Sequence, residues 1–313
     1  MGSSSREANP KAKRQHYVPA FYLRSFSIKG KQHHLYCFDK SNFLKAKRNI
    51  KNLCCESYFY DTFEDIDQQT EKAFSYQESV FKNAYDKLNE TQDLSSLTSD
   101  EKKRIAYFVT TQELRTKKWR QVLKNLPRQF GEGISQMAAK LPQGKWSEEL
   151  RAGLKLEQLM YKKLANDEEA IKALHISTLE DIPEYVNIIC NKWEWIIFVN
   201  RSAMSCWSSD HPVTRYNPID LRPRGNLGLL CPGIEIYFPL NPKLSLCIRN
   251  PIQNLSTFLP KKYEVSDIRG IRFLNSLQVS QSVRYILSNQ SDFSLAESMI
   301  KDSPPLSDVN RRE

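Results

Sequence analysis

Trp193-Glu194-Trp195-Ile196-Ile197-Phe198-Val199 is the stretch on which the fold turns. Seven residues dominated by aromatic and β-branched side chains, without helical spacing, read as a strand. It follows a long helical middle, about residues 65–191. There Ala73, Gln77, Val80, Phe81, Ala84, Tyr85 and Leu88 recur at helical intervals and predict a helix over 65–90. Thr98, with Glu101 three residues on, forms a capping box that opens a helix over 98–123. Its stripe is Ile105, Phe108, Gln112, Arg115, Trp119 and Val122, and Pro127 and Gly131 break the pattern. Two or three further helices run to about 174, and another covers 178–191.

Strand character flanks this middle on both sides. His34–Asp39 and Ser57–Asp61 read as short strands before it. After it come Ser205–Ser208 and a pair, 234–240 and 244–248, joined at Asn241-Pro242. Ile268, Ile271, Leu274, Leu277, Val283 and Ile286 then predict a closing helix over 266–289. Strands segregated from helices imply an α+β fold. The N-terminal strands are too few to stand alone, so they are expected to join the later ones in a mixed or antiparallel sheet packed on the helical bundle and the C-terminal helix. The expected organisation is a disordered basic tail over 1–12, one domain over 13–290 and a polar tail over 291–313.

Charge is unevenly spread. The 313 residues carry a net +10, and residues 1–60 alone hold twelve Lys/Arg against three Asp/Glu, or +9. That balance favours an anionic partner, nucleic acid first. No apolar run approaches the roughly 18 residues that a membrane span needs, and no apolar core of a secretory signal follows the start. The seven cysteines are scattered without a CxxC, which fits reduced thiols in a cytoplasm. P-loop, GxSxG, HExxH and GxGxxG motifs are absent.

Three places can carry chemistry. In His16-Tyr17-Val18-Pro19-Ala20-Phe21-Tyr22-Leu23-Arg24, Pro19 holds Val18 extended, and the aromatics can fix His16 and Arg24 in position. The same anchoring suits a histidine bonded to backbone and an arginine capping a carboxylate. Gln112 and Arg115 sit on a face that ought to be buried, as does Glu78 between Phe74 and Phe81, so each needs a partner. Glu78 and Arg115 can pair with each other across two helices. Alternatively they converge with His16 on a polar pocket where Arg115 binds an anion. Ser208-Ser209-Asp210-His211-Pro212-Val213 places a carboxylate and an imidazole at a strand end, as a site or as a capped turn. Lys45, Lys47, Arg48 and Lys51 form a basic cluster suited to phosphate contacts or to a solvated face.

These residues resemble the DUF4238 family, an uncharacterised group found widely in bacteria. The resemblance rests on His16-Tyr17-Val18-Pro19 with Phe21, Leu23-Arg24 and Phe26, on Tyr58-Phe59-Tyr60-Asp61, on Gln112 with Arg115, on Ser209-Asp210-His211-Pro212-Val213 and on Phe238-Pro239-Leu240. It covers about 13–290, and His211 stands where the family carries a variable residue, often Asn. The family implies no reaction. The expected function is a metal-dependent phosphodiester hydrolase, a nuclease acting on nucleic acid in a defence or toxin system. In it Asp210 and Glu78 hold Mg²⁺ or Mn²⁺, His16 is base or ligand, and Arg24, Gln112, Arg115, Lys47 and Arg48 contact the substrate. The alternative is a non-catalytic module that binds a nucleotide or nucleic acid. Nothing in the sequence sets the oligomeric state.

Overall fold

The computed structural model describes residues 12–63, 65, 68–140, 147–219, 227–251 and 261–311. Apart from residue 12, the basic tail expected over 1–12 lies outside them. The chain opens with β1 (Arg14–His16), α1 (Ala20–Arg24), β2 (His34–Asp39), β3 (Leu44–Asn49) and β4 (Cys55–Ser57). The helical middle is α2 (Gln69–Thr91), α3 (Ser99–Leu114), α4 (Lys117–Lys140), α5 (Glu148–Asn166), α6 (Glu168–Ser177) and α7 (Ile182–Asn191). Then follow β5 (Glu194–Asn200), β6 (Ser208–Ser209), β7 (Thr214–Tyr216), β8 (Glu235–Asn241), β9 (Leu244–Arg249) and β10 (Lys262–Val265). The chain closes with α8 (Ile268–Gln281), β11 (Tyr285–Ser288) and α9 (Ser294–Asp302).

Among the described residues the strands form three sheets, and the protein is α+β. A five-stranded sheet in the order β10-β5-β9-β8-β7 is built entirely from residues after the helical middle. Its β10–β5 pair is parallel and its other pairs are antiparallel. The interior of β5 carries apolar side chains at consecutive positions because both of its faces are covered. Trp195, Ile197 and Val199 join the main core with α2, α3 and α7, while Ile196 and Phe198 lie in the cluster with Leu277 and Phe273 of α8. A four-stranded antiparallel sheet, β3-β2-β11-β6, is the composite expected from the sequence, because β11 pairs with β2 across most of the chain. β1 and β4 make a small antiparallel ladder of their own.

The peptide 16–26 stitches these parts together. Tyr22 donates to the Pro239 carbonyl on β8 (2.7 Å) and shares a hydrogen bond with Ser208 on β6 (3.0 Å). One phenol therefore ties the two larger sheets. Pro239 can sit inside β8 because the β8–β9 register shifts between Pro239 and Asn241, a bulge that removes the need for its amide. Tyr22 also stacks on Phe238, and Phe21 packs against Phe81, Tyr85 and Phe108.

Several expectations change. The helix over 98–123 is two helices: it keeps the capping box at Thr98 and Glu101 but ends at Leu114. Thr116 restarts the chain as α4, its hydroxyl accepting from the Trp119 amide (3.4 Å). Pro127 and Gly131 lie inside α4 rather than breaking it, both buried, so packing there overrides local propensity. The helix over 266–289 stops at Gln281, and Tyr285–Ser288 is strand. The 57–61 strand lies earlier, at Cys55–Ser57, and Tyr58 turns out of it with φ at +52°.

Nor is 291–313 merely a polar tail. Phe293, Leu295, Ala296 and Ile300 pack on Phe38, Trp207, Val279 and Ile286 in a second core. Phe293→Ala is expected to lower stability by about 3–5 kcal/mol in urea denaturation, as for other buried aromatics; a loss within error of zero would mean that α9 is dispensable.

Candidate functional site

Arg115 stands at the corner between α3 and α4 and is almost completely buried. Its Nη1 donates to Glu78 of α2 (2.9 Å), and its Nη2 donates to the His16 carbonyl (2.5 Å). The Tyr60 hydroxyl donates to the Arg115 carbonyl (2.8 Å), and the guanidinium lies 4.2 Å from the Phe74 ring centre. One turn earlier, Gln112 donates to the Tyr17 carbonyl (2.9 Å). The structure therefore brings His16, Glu78, Gln112 and Arg115 together. It does so by tying backbone and charge into an ion-paired joint, the pairing alternative of the sequence reading.

His16 lies on β1 opposite Cys55. Its ring is bonded to the Ile50 backbone, its Nε2 is buried without a partner, and burial, with the charges of Arg115 and Arg14, lowers its pKa. Asp210 is fully buried and accepts the amides of Val283 (2.9 Å), Arg284 (2.7 Å) and Tyr285 (3.1 Å). These bonds draw the chain out of α8 and into β11. Burial pushes the Asp210 carboxyl up, opposed by the Lys40 charge and the three amides. His211 is buried behind it, bonded through Nδ1 to Thr116 (2.8 Å), and burial pushes it down to about 3.

The proposed metal carboxylates are thus engaged separately, Asp210 by amides and Glu78 by Arg115. Among the described residues, no group of three or more His, Cys, Asp or Glu is placed to hold a metal ion. Arg24 is exposed on the last turn of α1, and Lys47 and Arg48 are exposed on β3. Lys45, beside them, pairs with Glu297 (2.7 Å).

A groove that sequence reasoning passed over lies along α4. Lys117, Arg120, Lys124 and Arg128 fall at i, i+3, i+7 and i+11, hence on one helix face. With Glu56, Phe59, Gln121, Asn125, Glu168 and Asn310 they line a cleft of about 410 Å³. Lys117 pairs with Glu56 (2.6 Å) and Lys124 with Glu168. Among the described residues, Arg120 and Arg128 have no carboxylate at ion-pair distance. The Arg120 guanidinium stacks 3.6 Å from the Phe59 ring centre and donates to the Phe59 carbonyl (2.7 Å) and His175 Nδ1 (3.0 Å). His175 Nε2 donates to the Leu114 carbonyl (2.6 Å), so the ring is neutral. Burial and then the Arg120 charge push it down to about 3. The helical spacing of the four cations was the available signal.

The fold and the site define an α+β protein with an ion-paired internal joint and a basic surface groove. The chain belongs to the DUF4238 family, whose description is "protein of unknown function", with residues 14–292 matched. No curated protein and no solved structure matches it. No helix among the described residues is long and apolar enough to cross a membrane, and none of the seven cysteines is disulfide-bonded.

Two stability experiments follow from this geometry. Arg115→Met leaves Glu78 and the His16 carbonyl without their donor and is expected to cost about 3 kcal/mol; Asp210→Ala strands three amides and is expected to cost a similar amount, both read by urea denaturation. His175 and His211 titrate near 6.5 in the unfolded chain but only near 3 when folded. Below 6.5 the unfolded state therefore takes up protons that the folded state refuses. Stability is full above that pH and falls as the solution is acidified. Thermal melting should follow this curve, with a shallower acid limb in His175→Gln; a melting temperature unchanged into mild acid contradicts the assignment.

Proposed function

We propose that the protein binds nucleic acid through the α4 groove without itself needing to cut it. The observation that carries this reading is the row Lys117, Arg120, Lys124 and Arg128, four cations against two carboxylates in one cleft. A row of cations on a helix tracks phosphates spaced along a strand. Arginine adds paired donors to a phosphate, and Gln121 and Asn125 offer neutral hydrogen bonds beside it. Arg120 is held by Phe59 and His175, so part of the binding surface is ordered before any ligand arrives. The local excess of Lys and Arg in residues 1–60 adds long-range attraction.

Metal-dependent hydrolysis at His16, Glu78 and Asp210, using Mg²⁺ or Mn²⁺, is the competing reading. The unpartnered, buried Nε2 of His16 is the observation in its favour. It ranks second because the Asp210 and Glu78 carboxylates already have strong partners.

Fluorescence anisotropy with labelled single-stranded RNA and duplex DNA tests both. Affinity is expected to fall linearly in log–log plots against salt, by about 0.7 (single strand) or 0.9 (duplex) per phosphate engaged. Lys124→Glu combined with Arg128→Glu should weaken binding by about tenfold or more. Binding untouched by that double change removes the groove from the proposal. Cleavage that requires Mg²⁺ or Mn²⁺ and disappears in Asp210→Asn, in a variant shown to be folded, would move the function to the buried carboxylates.

A further inference from the structure

Helix α5 has two apolar faces, and the fold uses one of them. Leu154, Gln158, Tyr161 and Ala165 lie towards α4: Tyr161 stacks on Phe130, and the Gln158 carbonyl approaches Gly131. At about 100° per residue, Leu156 points away from that contact. Around it are Ala152, Gly153, Leu159 and Met160, and Leu156, Leu159 and Met160 are 61, 55 and 62 % exposed. Three large apolar side chains side by side on the side of the helix turned away from α4 form an unsatisfied face.

The order of residues along this face specifies what covers it. Counting outward from Leu156, Gly153 stands three residues before and Leu159 three after. Ala152 stands four before and Met160 four after; Glu149 stands seven before and Lys163 seven after. Small residues therefore mirror large ones, and an acid mirrors a base. An antiparallel copy of the same helix, related by a two-fold axis at Leu156, lays Leu159 and Met160 over Gly153 and Ala152 and sets Lys163 against Glu149. A parallel copy does the reverse, placing Glu149 on Glu149, Lys163 on Lys163, large on large and small on small. Like charges and voids would oppose it.

We propose that α5 is a self-association surface that pairs antiparallel with α5 of a second copy of this chain. This is an isologous contact, in which one patch serves both subunits. A single pair of helices of this length, about 28 Å each, buries less area than a permanent dimer does. The expected behaviour is a reversible monomer–dimer equilibrium in the micromolar range.

Sedimentation velocity on the full chain, from low micromolar to several hundred micromolar, reads this directly. The wild type is expected to rise from its 36.5 kDa monomer mass towards twice that value. Leu156→Glu alters an exposed position, so its circular dichroism should stay native while the species remains monomeric throughout. Lys163→Glu should weaken association, and Glu149→Lys added in the same chain should restore it, which a merely sticky surface would not do. A wild type that stays monomeric at every concentration overturns the proposal. So does a dimer that Leu156→Glu leaves intact, or a charge exchange that fails to rescue.

Discussion

Much of the fold hangs on one buried cation. A guanidinium taken out of water is tolerable only where its donors are used, and Arg115 uses them on partners from distant parts of the chain. Glu78 comes from α2, the His16 carbonyl from β1, and the aromatic walls Tyr60 and Phe74 from either side of the α2 start. The corner between α3 and α4 exists at that point because Arg115 must face inward there. Gln112, one turn back, repeats the constraint on the next carbonyl. Together they lay the 16–18 peptide across the helices. Pro19 then turns it into α1, where Tyr22 reaches both larger sheets.

Most of the residues that carry the family resemblance fall on this frame, Arg24 and Tyr58 being exposed. Tyr17, Val18, Tyr60, Gln112, Arg115, Asp210, Phe238 and Leu240 are all buried, and their polar atoms chiefly hold backbone in place. The groove on α4 stands apart from them, joined through Phe59, whose ring Arg120 covers. Frame and surface are thus separate in chemistry, one made of internal bonds that hold backbone and the other of a cation row along a surface cleft, two of whose members are ion-paired at its walls.

What could be read from the sequence depended on whether its cause was local. β2 is found over the expected residues, and β5, β8 and β9 lie within about one residue of their expected places, because alternation and apolar content are properties of the segment itself. The capping box was equally local. The Glu78–Arg115 pair could be inferred since two polar groups on apolar stripes have few other options. β11 could not. Val283, just before it, and Ile286 within it continue the apolar spacing of α8, and only a carboxylate more than seventy residues away diverts the amides of Val283, Arg284 and Tyr285. The α4 groove was hidden differently. Among 46 Lys and Arg, four on one helix face look like ordinary solvation until Glu56 and Phe59 supply the opposite wall.

The pairing of β2 with β11 also sets a timetable. Chains emerge from the ribosome N-terminus first, and Tyr36 must wait for Ser288 before its second sheet neighbour exists. During that interval β2 has only β3 beside it, a two-stranded ribbon of little independent stability. Phe38 likewise has neither Trp207 nor Phe293 to cover it. The helical middle is made of near-neighbour contacts and can form as it appears, whereas the N-terminal sheet is completed late. A nascent chain of this protein therefore spends most of its synthesis with its first strands unfinished, and that is the window in which a holding chaperone has something to protect.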